Sequence, residues 1–477
     1  MNEDSGWEKP LAHAKLEEGS PCPSRQNQHL GTAMLREAEE FAALKDEWDE
    51  LYESSSRATP FQSWGWLYSW WEAYGKAYDL RLITLREAGS GLLVGLLPLM
   101  VRSRPSFGRL LFIGGDKMTL YSDVMTPYKD VLVREGWEEE VACAGVRALK
   151  EMGGWRVADL QELMPDSAAW GLFREWGGPK TNVPITDYLL MEARPWEEVL
   201  SSLSRRLRKT ARRTLRQAER DGVVCEPASA EDAERAADTL VRLHRELWRG
   251  RRIAPEHLTP RYEAFVRTAA RRMTERGIGR VSEFRRKEDG EVLVSQFLLF
   301  DGDFVGVYVT GADEEASGRY QLETLSNWDA IEVAHAAASS ERVSFMDGAT
   351  RDKLRWASEV VQSHRLILGR TAALYVPYAG YHLMRTYYRA LRSGAQSYAY
   401  SEEAPQWVKK AVERYHALQS YPYSEGTPSW VRSATERYYA LRARYGYGRL
   451  RYQYESVRAR WGVRRGTHLI RALRKKR

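Results

Sequence analysis

The segment Phe345-Met346-Asp347-Gly348-Ala349-Thr350-Arg351-Asp352-Lys353-Leu354-Arg355-Trp356 gathers two acids, two arginines, a lysine and a tryptophan around one glycine. It follows the apolar, β-leaning pair Val343 and Phe345. A strand end that runs into so much charge packs poorly in a core, because unpaired charge is costly to bury. It makes more sense as the rim of a polar site. A carboxylate there can take a proton from a reacting group, and a lysine can hold a phosphate or a developing oxyanion. Asp347 at the strand end and Lys353 six residues on form the leading pair. The alternative is structural: Asp347 caps a turn and Lys353 pairs with Asp352.

The elements that must position these residues fall into two similar sets. Residues 1–33 are polar, carry Pro, Gly, Ser and Gln without periodicity, and read as disordered. Leu35, Phe41, Leu44, Trp48 and Leu51 predict a helix over 35–54. A second helix, capped at Gln62 or Ser63, ends at Gly75. Strands over 80–86 and 92–101 flank a Gly-Ser-Gly turn, and a short strand over 110–113 enters a loop over 114–123. A helix near 137–152 and a strand over 155–160 complete a small α/β layer.

After Pro184 the pattern restarts with a strand at 188–191. One long helix then runs from Trp196 through Ser204 to Arg220 and stops at Asp221-Gly222. Helices follow over 230–248 and 260–276. Strands near 279–285, 291–300 and 303–310 are joined at Asp289-Gly290 and Asp301-Gly302, both strong hairpin dipeptides. A helix over 319–338 leads to the strand before Asp347. The chain is therefore expected to be α+β, with lobes over 34–183 and 184–388 and a tail over 389–477.

Composition narrows the class. A chain of 477 residues with 43% hydrophobic and 11% aromatic content can bury more than one core. Three scattered cysteines without C-x-x-C spacing argue against a disulfide scaffold or zinc site, and no metal is expected. No apolar run reaches the length of about 20 residues that spans a bilayer, so the expected setting is cytoplasmic, including the inner face of the membrane. The tail holds 20 Lys and Arg against 6 Asp and Glu, a net of +14, which leaves −7 for the rest of a chain whose total is +7. It also repeats itself, Pro405–Leu418 being echoed by Pro428–Leu441 at a period of 23 residues. Its tyrosines and cations suit an anionic membrane surface or nucleic acid. A solvated helical extension is the alternative.

Five stretches occur in a telling order: PFQSWGWLYSWWEAYG over 60–75, LLVGLLPLM over 92–100, LFIGGDKMTLYSD over 111–123, the basic helix over 204–222, and the loop over 347–356. In this the chain resembles the CelD-like acetyltransferases of bacteria, a branch of the GNAT superfamily related to the FemAB peptidoglycan-bridge enzymes. The resemblance covers roughly residues 35–385. It implies two tandem GNAT-like lobes, with catalysis mainly in the second. It also implies transfer of an acetyl or other acyl group from acyl-CoA to an amine or hydroxyl of a polysaccharide or cell-envelope precursor. A FemAB-like, aminoacyl-tRNA-dependent transferase and a non-catalytic GNAT-shaped binding module are the alternatives.

The resemblance also gives the remaining candidates their roles. Ser317, Gly318 and Arg319 replace a small-Pro-Gly turn before the helix that receives the donor phosphates, where free amides favour anions. Gln296 and Tyr308, on adjacent strands, would line the acyl pocket or simply be core. Family loops close on an aromatic-Lys pair. Here Asp352 stands before Lys353, while the lysine and Trp356 are kept. Tyr121 and Asp123 would supply a base from the first lobe or form an Asx-type turn. Arg205 and Lys209, in a run of seven cations, would clamp a phosphorylated or acidic saccharide acceptor or form a solvated face. Trp248 completes the substrate-binding set, and His244, at helical spacing from it, would act as a base or be a structural histidine. No Ser-His-Asp set stands out, so direct attack in a ternary complex is expected.

Overall fold

The computed structural model describes residues 30–102, 108–116, 124–249, 253–336, 340–347 and 351–399. The first half holds β1 (Leu30–Leu35), α1 (Ala38–Ala43), α2 (Lys45–Glu53), α3 (Trp64–Tyr74), β2 (Asp79–Glu87), β3 (Leu93–Arg102), β4 (Arg109–Phe112), β5 (Leu132–Val133), α4 (Glu138–Glu151), β6 (Val157–Leu163), α5 (Trp170–Glu175) and β7 (Lys180–Glu192). The second opens with α6 (Trp196–Ser202), α7 (Arg205–Arg220), β8 (Val223–Pro227), α8 (Ala233–Leu247), α9 (Pro260–Glu275), β9 (Gly279–Arg286) and β10 (Val292–Asp301). It closes with β11 (Phe304–Ala312), α10 (Glu314–Arg319), α11 (Leu322–Ala336), β12 (Arg342–Asp347), α12 (Arg351–Leu354), β13 (Glu359–Gly369) and α13 (Ala372–Ala399).

All the strands join one sheet, in the order β1-β2-β3-β4-β6-β13-β7-β12-β11-β10-β9-β8, with β5 on β3. Each half contributes four successive antiparallel strands and then a parallel neighbour, β6 beside β4 and β12 beside β11. The last strand of each half crosses to the other. β7 pairs with β12, β13 pairs with β6, and β7 and β13 pair with each other. The α+β reading with two lobes of one plan holds, and the strand exchange fuses them.

The lobe boundary expected at 183/184 falls inside β7. Pro184 cannot donate to a ladder and reads as a break. It is accommodated opposite His364, where the β7–β13 register shifts. Residues 30–33, expected to be disordered, pair with β2 as part of β1. The helix expected over 35–54 breaks at Leu44 into α1 and α2. The helix expected over 196–220 breaks at Leu203, whose backbone is extended, and Ser204 caps α7 by accepting from the Leu207 amide at 3.4 Å. The helix expected over 319–338 is α11, which begins at Leu322, and Arg319 instead ends the separate short helix α10. The hairpins at Gly290 and Gly302 form as expected, both glycines at positive φ. Tyr121, Asp123, Cys22 and the tail repeat lie outside the described residues.

Helix α3 ties the halves together. Ser63 caps it by accepting from the Trp66 amide, as the sequence suggested. Trp66 and Trp70 are fully buried, and the Trp66 ring reaches the second half, meeting Phe265 at 5.1 Å and Tyr308 at 4.8 Å between centroids. Burial of an indole NH requires a partner. Trp66 Nε1 donates to Thr126 Oγ1 at 3.0 Å and Trp70 Nε1 to the Val124 carbonyl at 2.9 Å. These bonds fix the segment 124–126 against the interlobe cavity described next.

Candidate active site

β11 and β12 run parallel but share a single paired position, Gly306 with Ser344. Beyond it they part. Val307, Tyr308, Val309 and Thr310 on one side and Phe345, Met346 and Asp347 on the other line a cavity of about 930 Å³. Backbone groups at such a gap lose their strand partners and are available to an extended ligand that carries amides. The first half supplies the opposite wall, including Val124, Thr126, Glu162, Thr186 and Tyr188.

Backbone strain marks the place where the strands part. Among the described residues, the non-glycine positions with positive φ are Tyr128 (49°), Glu162 (63°) and Met346 (59°). An L-residue held there costs about 1 kcal/mol or more and persists where its surroundings fix it. The Met346 amide donates to Ser344 Oγ at 3.1 Å, and Ser344 Oγ meets Tyr128 OH at 2.7 Å. The Tyr128 ring packs on Tyr188 at 4.9 Å, and Tyr188 OH donates to Glu162 Oε2 at 2.6 Å. The three strained residues are thus joined by one chain of contacts along the cavity.

Lys353 braces the same strand end. Its Nζ donates to the Phe345 carbonyl at 2.7 Å and the Asp347 carbonyl at 2.8 Å. Burial lowers its pKa, with the Asp347 carboxylate pulling the other way. The expected alternative, a Lys353–Asp352 bridge, is not what forms: Asp352 pairs with Arg355 at 3.4 Å. Asp347 is exposed on the cavity rim. Trp356 packs beneath, stacked on Trp196 at 5.9 Å.

Other ionisable groups converge on the cavity. Glu162 is buried and receives hydroxyls from Tyr188, from Ser363 at 3.3 Å and from Thr186 at 3.5 Å. His244 Nδ1 lies 2.8 Å from the Thr310 carbonyl, and its Nε2 lies 3.1 Å from His257 Nδ1. The carbonyl can only accept, so His244 carries its proton on Nδ1 and receives the His257 proton at Nε2. Burial lowers both histidines, His257 to about 3, so the pair is neutral near pH 7. Asn327 lines the cavity at 3% exposure with its Nδ2 unpaired. Among the described residues no group of His, Cys, Asp and Glu could hold a metal ion, and no helix is long and apolar enough to cross a membrane.

The structure brings together Asp347, Lys353, Tyr308 and Trp248, which is 37% exposed, at this cavity. It does not bring Ser317, Gly318 and Arg319 there. They belong to the short helix α10 rather than to the start of α11. Ser317 Oγ donates to the Asp313 carbonyl, and the Arg319 guanidinium is committed to Asp221. The cavity instead touches Leu322, Glu323, Ser326 and Asn327 of α11. Gln296 is fully buried and donates to Asp329 at 2.6 Å, away from the cavity lining. Arg205 and Lys209 sit on the outer side of α7, whose inner face is Leu207, Ala211, Thr214 and Ala218. Neither residue lines the cavity.

Sequence reasoning missed Glu162, His257, Asn327 and Arg365. Glu162 offered no signal, since a lone acid after a strand is common. His244 and His257 are 13 residues apart across an irregular connection, a spacing that marks no motif.

Residues 205–354 match the family model described as the acetyltransferase (GNAT) domain. No curated protein is similar enough in sequence to count as a match. Among solved structures, FemX aligns at 12% identity over 72% of this chain and 98% of its own, with a TM-score of 0.48. A conserved protein of unknown function from Bacteroides thetaiotaomicron aligns at 9% identity over 70% and 100%, with a TM-score of 0.45. L-PGS from Bacillus licheniformis aligns at 10% identity over 72% and 96%, with a TM-score of 0.44. The segment similar to that acetyltransferase domain model runs from α7 to the end of α12.

Proposed function

We propose that the protein moves an acyl group from an acyl-CoA thioester to an amine or hydroxyl of a polysaccharide or cell-envelope precursor. The observation that carries this reading is the parting of β11 and β12, which opens strand edges onto a cavity flanked by Asp347 and Lys353. It lies within the segment that matches the acetyltransferase domain. The pantetheine arm of a CoA thioester is an extended chain with two amides, the shape and chemistry that such edges receive. The Asp347 carboxylate on the rim takes the proton of the attacking amine or hydroxyl. Lys353 holds the strand end in place and sets a positive charge beside it, where the thioester oxygen becomes negative. Attack is direct, and the thiolate of CoA leaves.

Calorimetric titration of the full chain with acetyl-CoA tests the reading. The expected result is micromolar binding that weakens at least about tenfold in Val307→Trp, which fills the gap between the strands. Absence of binding to acetyl-CoA, with or without retention of aminoacyl-tRNA, rejects the acyl-CoA donor.

A further inference from the structure

β13 and α13 also contribute to the cavity lining, and they carry arginines that neither the mechanism nor the family match uses. Arg365 lines the cavity although only 2% of its surface is exposed. Its Nε lies 3.1 Å from Asp159 Oδ1, and its Nη1 meets the His382 ring, 2.9 Å from Nε2. Its Nη2 has no hydrogen-bond partner among the described residues. Arg385, one turn beyond His382 on α13, lines the same wall and has no hydrogen bond or ion pair among the described residues.

The Asp159 carboxylate that faces Arg365 is heavily engaged. Asp159 also receives Arg109 at 3.4 Å, Gln161 at 2.8 Å and Tyr378 at 2.5 Å. Asp116 is engaged by Arg109, Gln161 and, at 3.8 Å, Arg102. The guanidiniums of Arg109 and Arg365 therefore share the Asp159 carboxylate, and Arg385 beside them has no carboxylate partner among the described residues. His382 adds no charge near neutral pH, because burial and Arg365 push its pKa down to about 3. A buried guanidinium with an unmatched edge, beside a second unpaired one, is costly unless an anion completes it. Arg presents parallel NH donors that suit phosphate and carboxylate oxygens.

We infer that Arg365 and Arg385 form an oxyanion subsite that anchors a phosphate or carboxylate group of the acceptor. The cavity then presents the Asp347 carboxylate at the end of β12 and the arginines toward α13. An acceptor anchored by its anion is held by one end while its nucleophile faces Asp347. The purpose of the subsite rests on the acyltransferase reading, but the binding itself does not.

The test titrates the full chain with sodium pyrophosphate and, separately, with sodium succinate, each in saturating CoA so that sites for the donor's own phosphates are filled. Wild type should bind one of the two probes, and that probe names the source of the anion. Arg385→Gln, whose side chain has no hydrogen bond or ion pair to lose among the described residues, should weaken binding at least about tenfold. Arg365→Met should do the same where circular dichroism shows it folded. Equal affinity in wild type and Arg385→Gln overturns the inference, as does binding of neither probe. A chain that fails to bind CoA but binds pyrophosphate through Arg385 rejects the acyl-CoA donor while leaving the subsite standing.

Discussion

Replacing Lys353 by methionine keeps the aliphatic stem and removes the ammonium that braces the end of β12. The ammonium makes two charge-assisted bonds, to the Phe345 and Asp347 carbonyls at 2.7 and 2.8 Å. Hydrogen bonds to charged groups contribute about 1.5–3 kcal/mol each. The one to Asp347 is exposed, and water replaces most of it on mutation. The net loss of stability should therefore be about 1–3 kcal/mol. The catalytic effect should be larger, because the bonds also hold Met346 in its left-handed conformation and fix where Asp347 points. A displacement of about 1 Å at a reacting group costs roughly a hundredfold in rate. The assay is acceptor-dependent release of the CoA thiol from acetyl-CoA across a panel of amines and hydroxyl compounds, read beside a thermal melt. Lys353→Met should lose about a hundredfold or more in kcat/KM, and Lys353→Arg should recover the melting temperature more than the rate. Wild-type turnover in a folded Lys353→Met protein would remove the brace from the mechanism.

Acid stability should report on His382. Its folded pKa, about 3, lies below the ordinary value of 6.5, so the unfolded chain takes up that proton first as the pH falls. The stability it contributes is present above about pH 6.5 and is lost on the way down to about pH 3. His382→Gln should show a smaller fall in Tm than wild type between pH 7 and about pH 4.5, and an equally steep fall would contradict the assignment. Gly311→Ala should destabilise by about 1–3 kcal/mol, because the new Cβ would sit 2.4 Å from the His244 nitrogen and 2.7 Å from the Leu243 carbonyl carbon, backbone atoms that cannot swing aside. An unchanged melting temperature would show that α8 does not press on β11 this closely. Trp66→Ala should cost about 3–5 kcal/mol through the cavity left between the lobes, measured by urea unfolding. A loss under about 1 kcal/mol would mean that the indole does not join them.

What the sequence showed well was what local chemistry decides. Asp289-Gly290 and Asp301-Gly302 fixed the meander of the second lobe, and Ser63 fixed the start of α3. The charged run after Phe345 pointed to a cavity rim because burial of so much charge has no structural reward. What stayed hidden depends on distant pairing. Pro184 reads as a break, and only its position opposite the β7–β13 register shift makes it part of a strand. β13 carries polar residues at its exposed start and gave no alternation to follow. The basic run of α7 drew attention by density, yet Arg205 and Lys209 face outward. Arg365 on β13, a buried arginine of the cavity lining, is held between residues more than 200 positions apart: Asp159 on β6 and His382 on α13. Nothing in the neighbours of Arg365 along the chain distinguishes it.

We place the acyl donor in the gap between β11 and β12 of the second lobe. Hydrogen–deuterium exchange of the full chain with and without acetyl-CoA tests it most directly. The account predicts slowed exchange at the amides of 307–310 and 345–347, with little change over 109–112 and 157–160 of the first lobe. Protection confined to the first-lobe strands, or absent from both, would contradict it.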